Sequence, residues 1–217
     1  MKVLDLFCGT KSIAKAFLAR GHKVFTVDWD KSFEPSLVAD IGTITANDII
    51  QLCGGVPDVV WLSPDCTTYS VAAISKHRQR EADGNLKAVS EYAKFCDKTN
   101  THIINVVVNE LKPKCWFIEN PRSGFRKMNF VKDFKRYTVT YCQYGDERMK
   151  PTDIFTNHPE PEFKPPCKNG DTCHTSAPRG SSTGTQGLKN KKERAKIPKM
   201  LCEHIVDICE SLIERKM

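Results

Sequence analysis

The chain has no run approaching the roughly 18 consecutive apolar residues of a membrane-spanning helix, so no membrane anchor is expected. It also lacks an apolar stretch behind Met1-Lys2, where the basic start passes straight into a strand carrying Asp5. No secretory signal is expected, and the protein is read as intracellular. Without export, the ten cysteines are not a disulfide framework. Cys53, Cys96, Cys115, Cys202 and Cys209 sit in apolar runs and read as small buried hydrophobes. There is no Gly-x-Gly-x-x-Gly and no phosphate-binding lysine motif after the first strand, which disfavours a dinucleotide or a nucleoside triphosphate. Internal repeats are absent too.

What is present suits one α/β domain with sequence to spare: 217 residues, 40% hydrophobic and 27% charged. The net charge of +7 gathers in Arg122, Arg126, Lys127, Lys132, Lys135 and Arg136, and again between Lys189 and Lys196. Such excess fits a polyanionic partner or a solvated surface, and composition does not choose between them.

Periodicity predicts strands over 2–7, 22–27, 36–41, 58–62 and 115–119. Helices are expected over 12–20, 46–52 and 86–111, the last broken near Asp97–Asn100. The alternation predicts a doubly wound, mostly parallel sheet covered on both faces. Residues 136–143 and 152–156 read as a hairpin around Tyr144-Gly145-Asp146, and 199–215 as a closing amphipathic helix. Three units follow: an α/β domain over 1–156, an irregular Pro/Gly/Ser/Lys-rich insert over 157–194, and a helix over 195–217 that packs back.

Chemistry collects at the ends of the strands. Gly9, in Asp5-Leu6-Phe7-Cys8-Gly9-Thr10, lets the backbone come close to a ligand where strand turns to helix. Asp28 ends the second strand in a place suited to ribose hydroxyls, Trp29 could lie against an adenine, and Asp40-Ile41 could read its edge. Each is also explained as a loop acid or a core tryptophan. Cys66, in Ser63-Pro64-Asp65-Cys66-Thr67-Thr68, follows an apolar strand and should be exposed by the turn as a nucleophile, with a thiolate favoured near cations or a helix start. Glu119 ends Cys115-Trp116-Phe117-Ile118, whose apolar wall should raise its pKa and let it hold a proton near neutrality. A cysteine with a proton-donating glutamate fits thiolate addition to an electron-poor ring carbon while a ring nitrogen is protonated.

Taken in order, Asp5-Leu6-Phe7-Cys8-Gly9, Asp28-Trp29-Asp30, Asp40-Ile41, Pro64-Asp65-Cys66-x-x-Tyr69-Ser70 and Glu119-Asn120 resemble the DNA cytosine-5 methyltransferases across residues 2–121. The resemblance implies a Rossmann-like, S-adenosylmethionine-dependent fold. It implies a cofactor pocket drawn from Asp5, Phe7, Cys8, Gly9, Asp28, Trp29, Asp40, Ile41 and Pro64. It also implies that Cys66 attacks carbon 6 of a flipped-out cytosine while Glu119 holds the N3 edge. Pro64-Asp65-Cys66-Thr67 stands where the family has Pro-Pro-Cys-Gln, and Glu119-Asn120-Pro121 where it has Glu-Asn-Val. The family's Gln-x-Arg-x-Arg is replaced by 144–152, which leaves Arg148 or Lys150 as the cation near the base. Its late Gly-Asn-x-Val motif is missing.

The short insert implies a minimal, phage-type member acting on DNA, in a bacterial cytoplasm if the host is bacterial. The same chemistry on RNA and a weakly catalytic nucleic-acid-binding accessory are the competing readings. The insert is expected to form a DNA-facing flap, with Arg179, Lys189, Lys191 and Lys192 near phosphate and Ser70 at the substrate. Cys167, Cys173 and His174, with His158 nearby, are zinc-type residues without the usual Cys-x2-Cys spacing, so no metal is assigned and the three stand as a candidate set. Oligomeric state is not legible.

Overall fold

The computed structural model describes residues 1–82, 84–168, 170–175, 188 and 190–214, with Lys191 described by its backbone alone. Seven strands form one sheet: β1 Lys2–Leu6, β2 Lys23–Asp28, β3 Leu37–Val38, β4 Val59–Leu62, β7 Cys115–Pro121, β8 Arg136–Thr140 and β9 Pro151–Thr156. They lie in the order β3-β2-β1-β4-β7-β9-β8. Only β9 runs against its neighbours, so the sheet is mostly parallel and doubly wound, as the alternation predicts. The chain winds outward from β1 to β3, then restarts at β4 and winds the other way. The switch point therefore lies between β1 and β4, where such sheets place their ligands.

Alternation along the strands sorts the core into two layers. Leu4, Leu6, Val60, Leu62, Trp116 and Ile118 face α2 (Ala46–Cys53) and α4 (Glu91–Asn105). Val3, Val59, Trp61, Cys115 and Phe117 face α1 (Ser12–Ala19) and α6 (Lys199–Glu214). The five cysteines read as core are all buried. A capping box of Thr45 with Asp48 starts α2, and Ser90 caps α4 by accepting from Ala93 N at 3.1 Å. No helix among the described residues is long and apolar enough to cross a membrane.

The sequence reading needs correction in two places. The helix expected over 86–111 starts only at Glu91, and it runs unbroken through Asp97–Asn100 into a wider π-type turn at Val106–Leu111. Its polar middle is not a breaker, because Asp97 and Asn100 point into a tertiary network described below. Leu86–Ala88 is instead a strand, β6, paired with β5 (Arg78–Arg80) in a separate two-stranded sheet behind the short α3 (Ile74–His77). The insert boundary at 157 also cuts through packed chain. Asn157 Oδ1 accepts from Trp116 N, Lys164 N donates to the Tyr144 hydroxyl, and the Phe163 ring lies 5.5 Å from that of Tyr137. Residues 157–168 are thus part of the body and not of a flap. Later, α5 (Lys191–Ala195) leads into α6.

Candidate active site

Register aligns the strand ends. Leu6, Val27, Leu62 and Ile118 lie side by side across β1, β2, β4 and β7. The residues that follow, Phe7, Asp28, Ser63 and Glu119, therefore form one row at the C-terminal edge. This is the physical reason why separate motifs in the sequence converge.

On the β1–β2 side, the turn after β1 is tight. Phe7 adopts φ 56° and Gly9 φ 43°, both left-handed, and the first is costly for a side-chain-bearing residue. Asp28 pins this turn: its carboxylate accepts from Gly9 N at 2.9 Å and from Asp30 N at 3.0 Å. Trp29 is 72% exposed, so it is not a core tryptophan; its ring is free to serve as a stacking surface. Asp40 is exposed and accepts from Gly42 N at 2.8 Å, while Ile41 is buried beside it. Cys8 is buried, and burial pushes its thiol up to about 12, so it is inert. Asp5 lies beneath the turn and not on its surface. Burial, reinforced by Asp28, raises it to about 7, against a hydrogen bond from the Ala14 amide. A groove of about 620 Å³ between α1 and the segment leading into α6 reaches Thr10 and Ser12 on this turn, but it does not include Cys66 or Glu119.

On the β4–β7 side Glu119 and Tyr141 are buried, with Cys66 and Lys150 half-buried beside them. Glu119 accepts from the Tyr141 hydroxyl at 3.1 Å and is hydrogen-bonded to the side chain of Ser63, which accepts from Trp61 Nε1 at 2.7 Å. Burial raises the Glu119 pKa, against these bonds and the Lys150 ammonium. Cys66 is half-buried. Burial pushes its thiol up to about 11, with the Asp65 and Glu119 carboxylates adding to the rise and Lys150 opposing it. The lowered thiol pKa expected from a helix start is not found, because Cys66 is desolvated, precedes only a single 3-10 turn and has two acids beside it.

The sequence leaves Arg148 and Lys150 as alternatives, and geometry separates them. Arg148 closes on Asp146 through its backbone N–H, Nε and Nη2, which together hold Asp146 low in spite of burial. Lys150 lies 4.5 Å above the Tyr141 ring and donates to Arg194 O at 3.1 Å. Burial lowers its pKa against the pull of Glu119 and Cys66, so it is the cation that these two groups feel.

Residues absent from the motif reading hold the Cys66 loop. Arg78 is fully buried, and its guanidinium pairs with Asp97 at 2.7 and 2.9 Å. It also donates to Thr68 O and Oγ1 at 2.9 Å and stacks 4.0 Å from the Tyr69 ring. Tyr69 donates to Asp97 at 2.8 Å and accepts from Asn100 at 2.9 Å. Asp65 accepts from Thr67 N and from the Tyr92 hydroxyl, which fixes the turn on its other side. Pro64 O accepts from Asn120 Nδ2 at 3.0 Å, tying β4 to β7. Ser70, at the end of the turn, accepts weakly from Ala72 N. No local signal marks Arg78 or Asp97, since each lies in a charged, loop-like stretch.

Arg179 and Lys189 lie outside the described residues, as does the side chain of Lys191. Lys192 sits 5.2 Å above the Phe33 ring and lends its charge to Asp30, which places it on the β2 rim and away from Cys66. Cys167, Cys173 and His174 do come together, and they gather a fourth residue, Cys142, that the sequence did not single out. His158 is buried elsewhere, donating its backbone N–H to Thr156 Oγ1.

No family model matches the chain. It is 25% identical over 224 residues, 96% of this chain and the whole of its relative, to a probable DNA (cytosine-5)-methyltransferase of Frog virus 3 (isolate Goorha). Among solved structures it resembles the Entamoeba histolytica methyltransferase EhMeth, with 16% identity, 72% of this chain, 52% of that one and a TM-score of 0.52. A putative DNA modification methyltransferase encoded within a prophage (E. coli) gives 16% identity, 72% and 46% coverage and a TM-score of 0.51. The chain thus has the fold of methyltransferases and spans about half the length of these two structures.

Proposed function

We propose that this chain, a relative of the DNA cytosine-5 methyltransferases over nearly its whole length, moves a methyl group from S-adenosylmethionine to carbon 5 of cytosine in DNA through a covalent Cys66 adduct. The observation that carries this reading is the meeting of Cys66, Glu119 and Lys150 at one strand-end edge, where Glu119 raises and Lys150 lowers the Cys66 thiol and Lys150 in turn feels both.

The β1–β2 side fits an adenosine-bearing cofactor. A Cβ placed on Gly9 would meet nothing nearer than Phe7 O at 4.0 Å, so the turn is open to a ligand. The Trp29 face is free, and the Asp28 and Asp40 carboxylates keep lone pairs for hydroxyl or amino hydrogens. When bound, the sulfonium supplies an electrophilic methyl group.

The remaining steps fall to this chain's own residues and the base. Glu119, whose pKa burial raises, donates a proton to N3 of a flipped cytosine and drains electrons from carbon 6. Cys66 gives its proton to solvent as the cytosine arrives, with Lys150 offsetting the thiolate charge, and its sulfur bonds to carbon 6. The carbon 5–carbon 6 π pair becomes a nucleophile at carbon 5 and takes the methyl. Solvent takes the carbon 5 proton, which restores the carbon 5–carbon 6 double bond and expels the Cys66 thiolate, and N3 returns its proton to Glu119. The Asp97–Arg78–Thr68 clamp and the Asn120–Pro64 bond hold sulfur and carboxyl in place through these changes.

Mass spectrometry of nucleosides tests this, after the full chain is incubated with S-adenosylmethionine and either duplex DNA or RNA. The reading predicts 5-methylcytosine in the DNA digest. Product in RNA alone would move the activity to the other polymer, and product in neither would refute catalysis.

A further inference from the structure

The turn after β8 and the insert meet at four side chains that the proposed reaction does not use. Cys142 is in the 3-10 turn Tyr141–Tyr144, and Cys167, Cys173 and His174 come from the irregular chain beyond β9. Their ligand atoms all lie within 4.8 Å of one another. Cys173 Sγ is 3.6 Å from Cys142 Sγ and 3.6 Å from His174 Nδ1, and Cys167 Sγ is 3.7 Å from His174 Nδ1. A tetrahedron built on Zn–S of about 2.3 Å and Zn–N of about 2.05 Å has edges of roughly 3.8 Å between sulfurs and 3.6 Å between sulfur and nitrogen. The Cys142–Cys167 edge, at 3.0 Å, is the exception. It is about 1 Å longer than a disulfide and needs a small side-chain rotation to widen.

We propose that Cys142, Cys167, Cys173 and His174 bind a structural zinc ion. Three thiolates and one imidazole are a soft, four-coordinate donor set that selects zinc over the hard divalent cations. All four positions come from protein, so no place is left for a reacting water and the site is structural, not catalytic. The surroundings are arranged around the ligands. Cys167 N–H is fixed to Thr140 Oγ1 at 2.9 Å, Gln143 Nε2 donates to Cys173 Sγ at 3.5 Å, and Thr175 N donates to Glu147 O at 3.0 Å. Residues 157–175 contain no helix or strand among those described, and a metal would supply the cross-link that a core this small cannot. The linked turn also carries Tyr141, the donor to Glu119, so the ion would brace the wall of the reaction site from behind.

The test is metal analysis of the full chain, reduced and dialysed against buffer containing zinc. We expect one equivalent of zinc per chain, and, after exchange with cobalt, a thiolate-to-metal charge-transfer band with tetrahedral ligand-field absorption. Cys173→Ser, at an exposed position, should lower zinc content at least several-fold while the protein stays folded, and pairing it with His174→Ala should abolish binding. Cys66→Ser serves as the control and should keep its zinc. Zinc-free reduced protein, unchanged zinc in the double variant, or a Cys142–Cys167 disulfide found by mapping of alkylated peptides would each overturn the proposal.

Discussion

At the end of β2, Asp28 takes two backbone N–H groups and holds a glycine turn, and beyond it Trp29 and Asp40 stand in the open. One switch point away, at the end of β7, Glu119 is buried against Tyr141, Ser63 and Lys150, and its carboxyl is held above the ordinary range. Two acids aligned by the same register thus serve opposite ends. Both are buried; the first accepts from two backbone N–H groups, while the second meets the Tyr141 and Ser63 hydroxyls and the Lys150 ammonium, and its pKa is raised. The contrast teaches that burial alone does not distinguish two acids on one sheet edge; their partners do, backbone amides on the proposed binding side and hydroxyls with a lysine on the proposed reacting side. Asp5 is the exception on the proposed binding side: it takes a backbone N–H from Ala14, yet burial raises its pKa to about 7.

Glu119→Gln strikes at the reactive half. It keeps the Tyr141 and Ser63 contacts in shape but cannot give up a proton, so we expect single-turnover methylation to fall by about 10²- to 10⁴-fold with a much smaller loss of DNA affinity. A loss of folding stability with unchanged rate would make Glu119 a structural acid like Asp28, and the comparison would fail.

Asp5→Asn tests the exception. A carboxyl raised by folding contributes stability below its unfolded value, and that contribution is lost as pH climbs through the folded value. Here the window runs from 3.8 to about 7. The variant should therefore be more stable than the parent by a margin that grows across this window and is flat above it, at most about 4 kcal/mol. Denaturation at pH 5 and pH 8 reads the difference, and an equal margin at both would show that Asp5 does not titrate in this window.

Arg78→Met asks whether the reactive half depends on its clamp. Removing the buried partner of Asp97, itself a quarter exposed, leaves that carboxylate partly uncompensated, at a cost of about 1–3 kcal/mol. Equilibrium denaturation should show this, and methylation should fall further than the loss of folded protein explains. Unchanged stability would mean that the Cys66 loop stands without the Arg78 network.

Effects of similar size belong to the binding half. Asp28→Ala and Asp40→Ala each remove a charged acceptor worth about 1.5–3 kcal/mol, or roughly 10- to 100-fold in S-adenosylmethionine affinity by calorimetry. Asp28→Ala should cost more, because it also frees the Gly9 amide. Unchanged affinity in both would remove the pocket from this edge.

The framework was legible because it is local. Strands such as 58–62 and 115–119 announce themselves by short apolar runs, and the chemistry lies just after each. What escaped depends on contacts across long separations. Asp97 and Asn100 read as a helix break because their partners, Tyr69 and Arg78, are about twenty to thirty residues away. The choice between Arg148 and Lys150 needed the Asp146 fork. Cys142 looked like one more thiol until the chain beyond β9 folded back onto it. The thiol of Cys66 was expected to be acidified, and burial, with its two neighbouring acids, reverses that.

The central claim is that Cys66 bonds to the base, and trapping tests it most directly. An oligonucleotide carrying 5-fluorocytosine, incubated with the full chain and S-adenosylmethionine, cannot release the enzyme, because fluorine replaces the proton that must leave carbon 5. The account predicts a denaturation-resistant protein–DNA adduct whose mass includes one added methyl group, mapped to the peptide containing Cys66 and absent from Cys66→Ser. Methylation of ordinary DNA by Cys66→Ser at near-parent rate, or an adduct that survives that substitution, would contradict it.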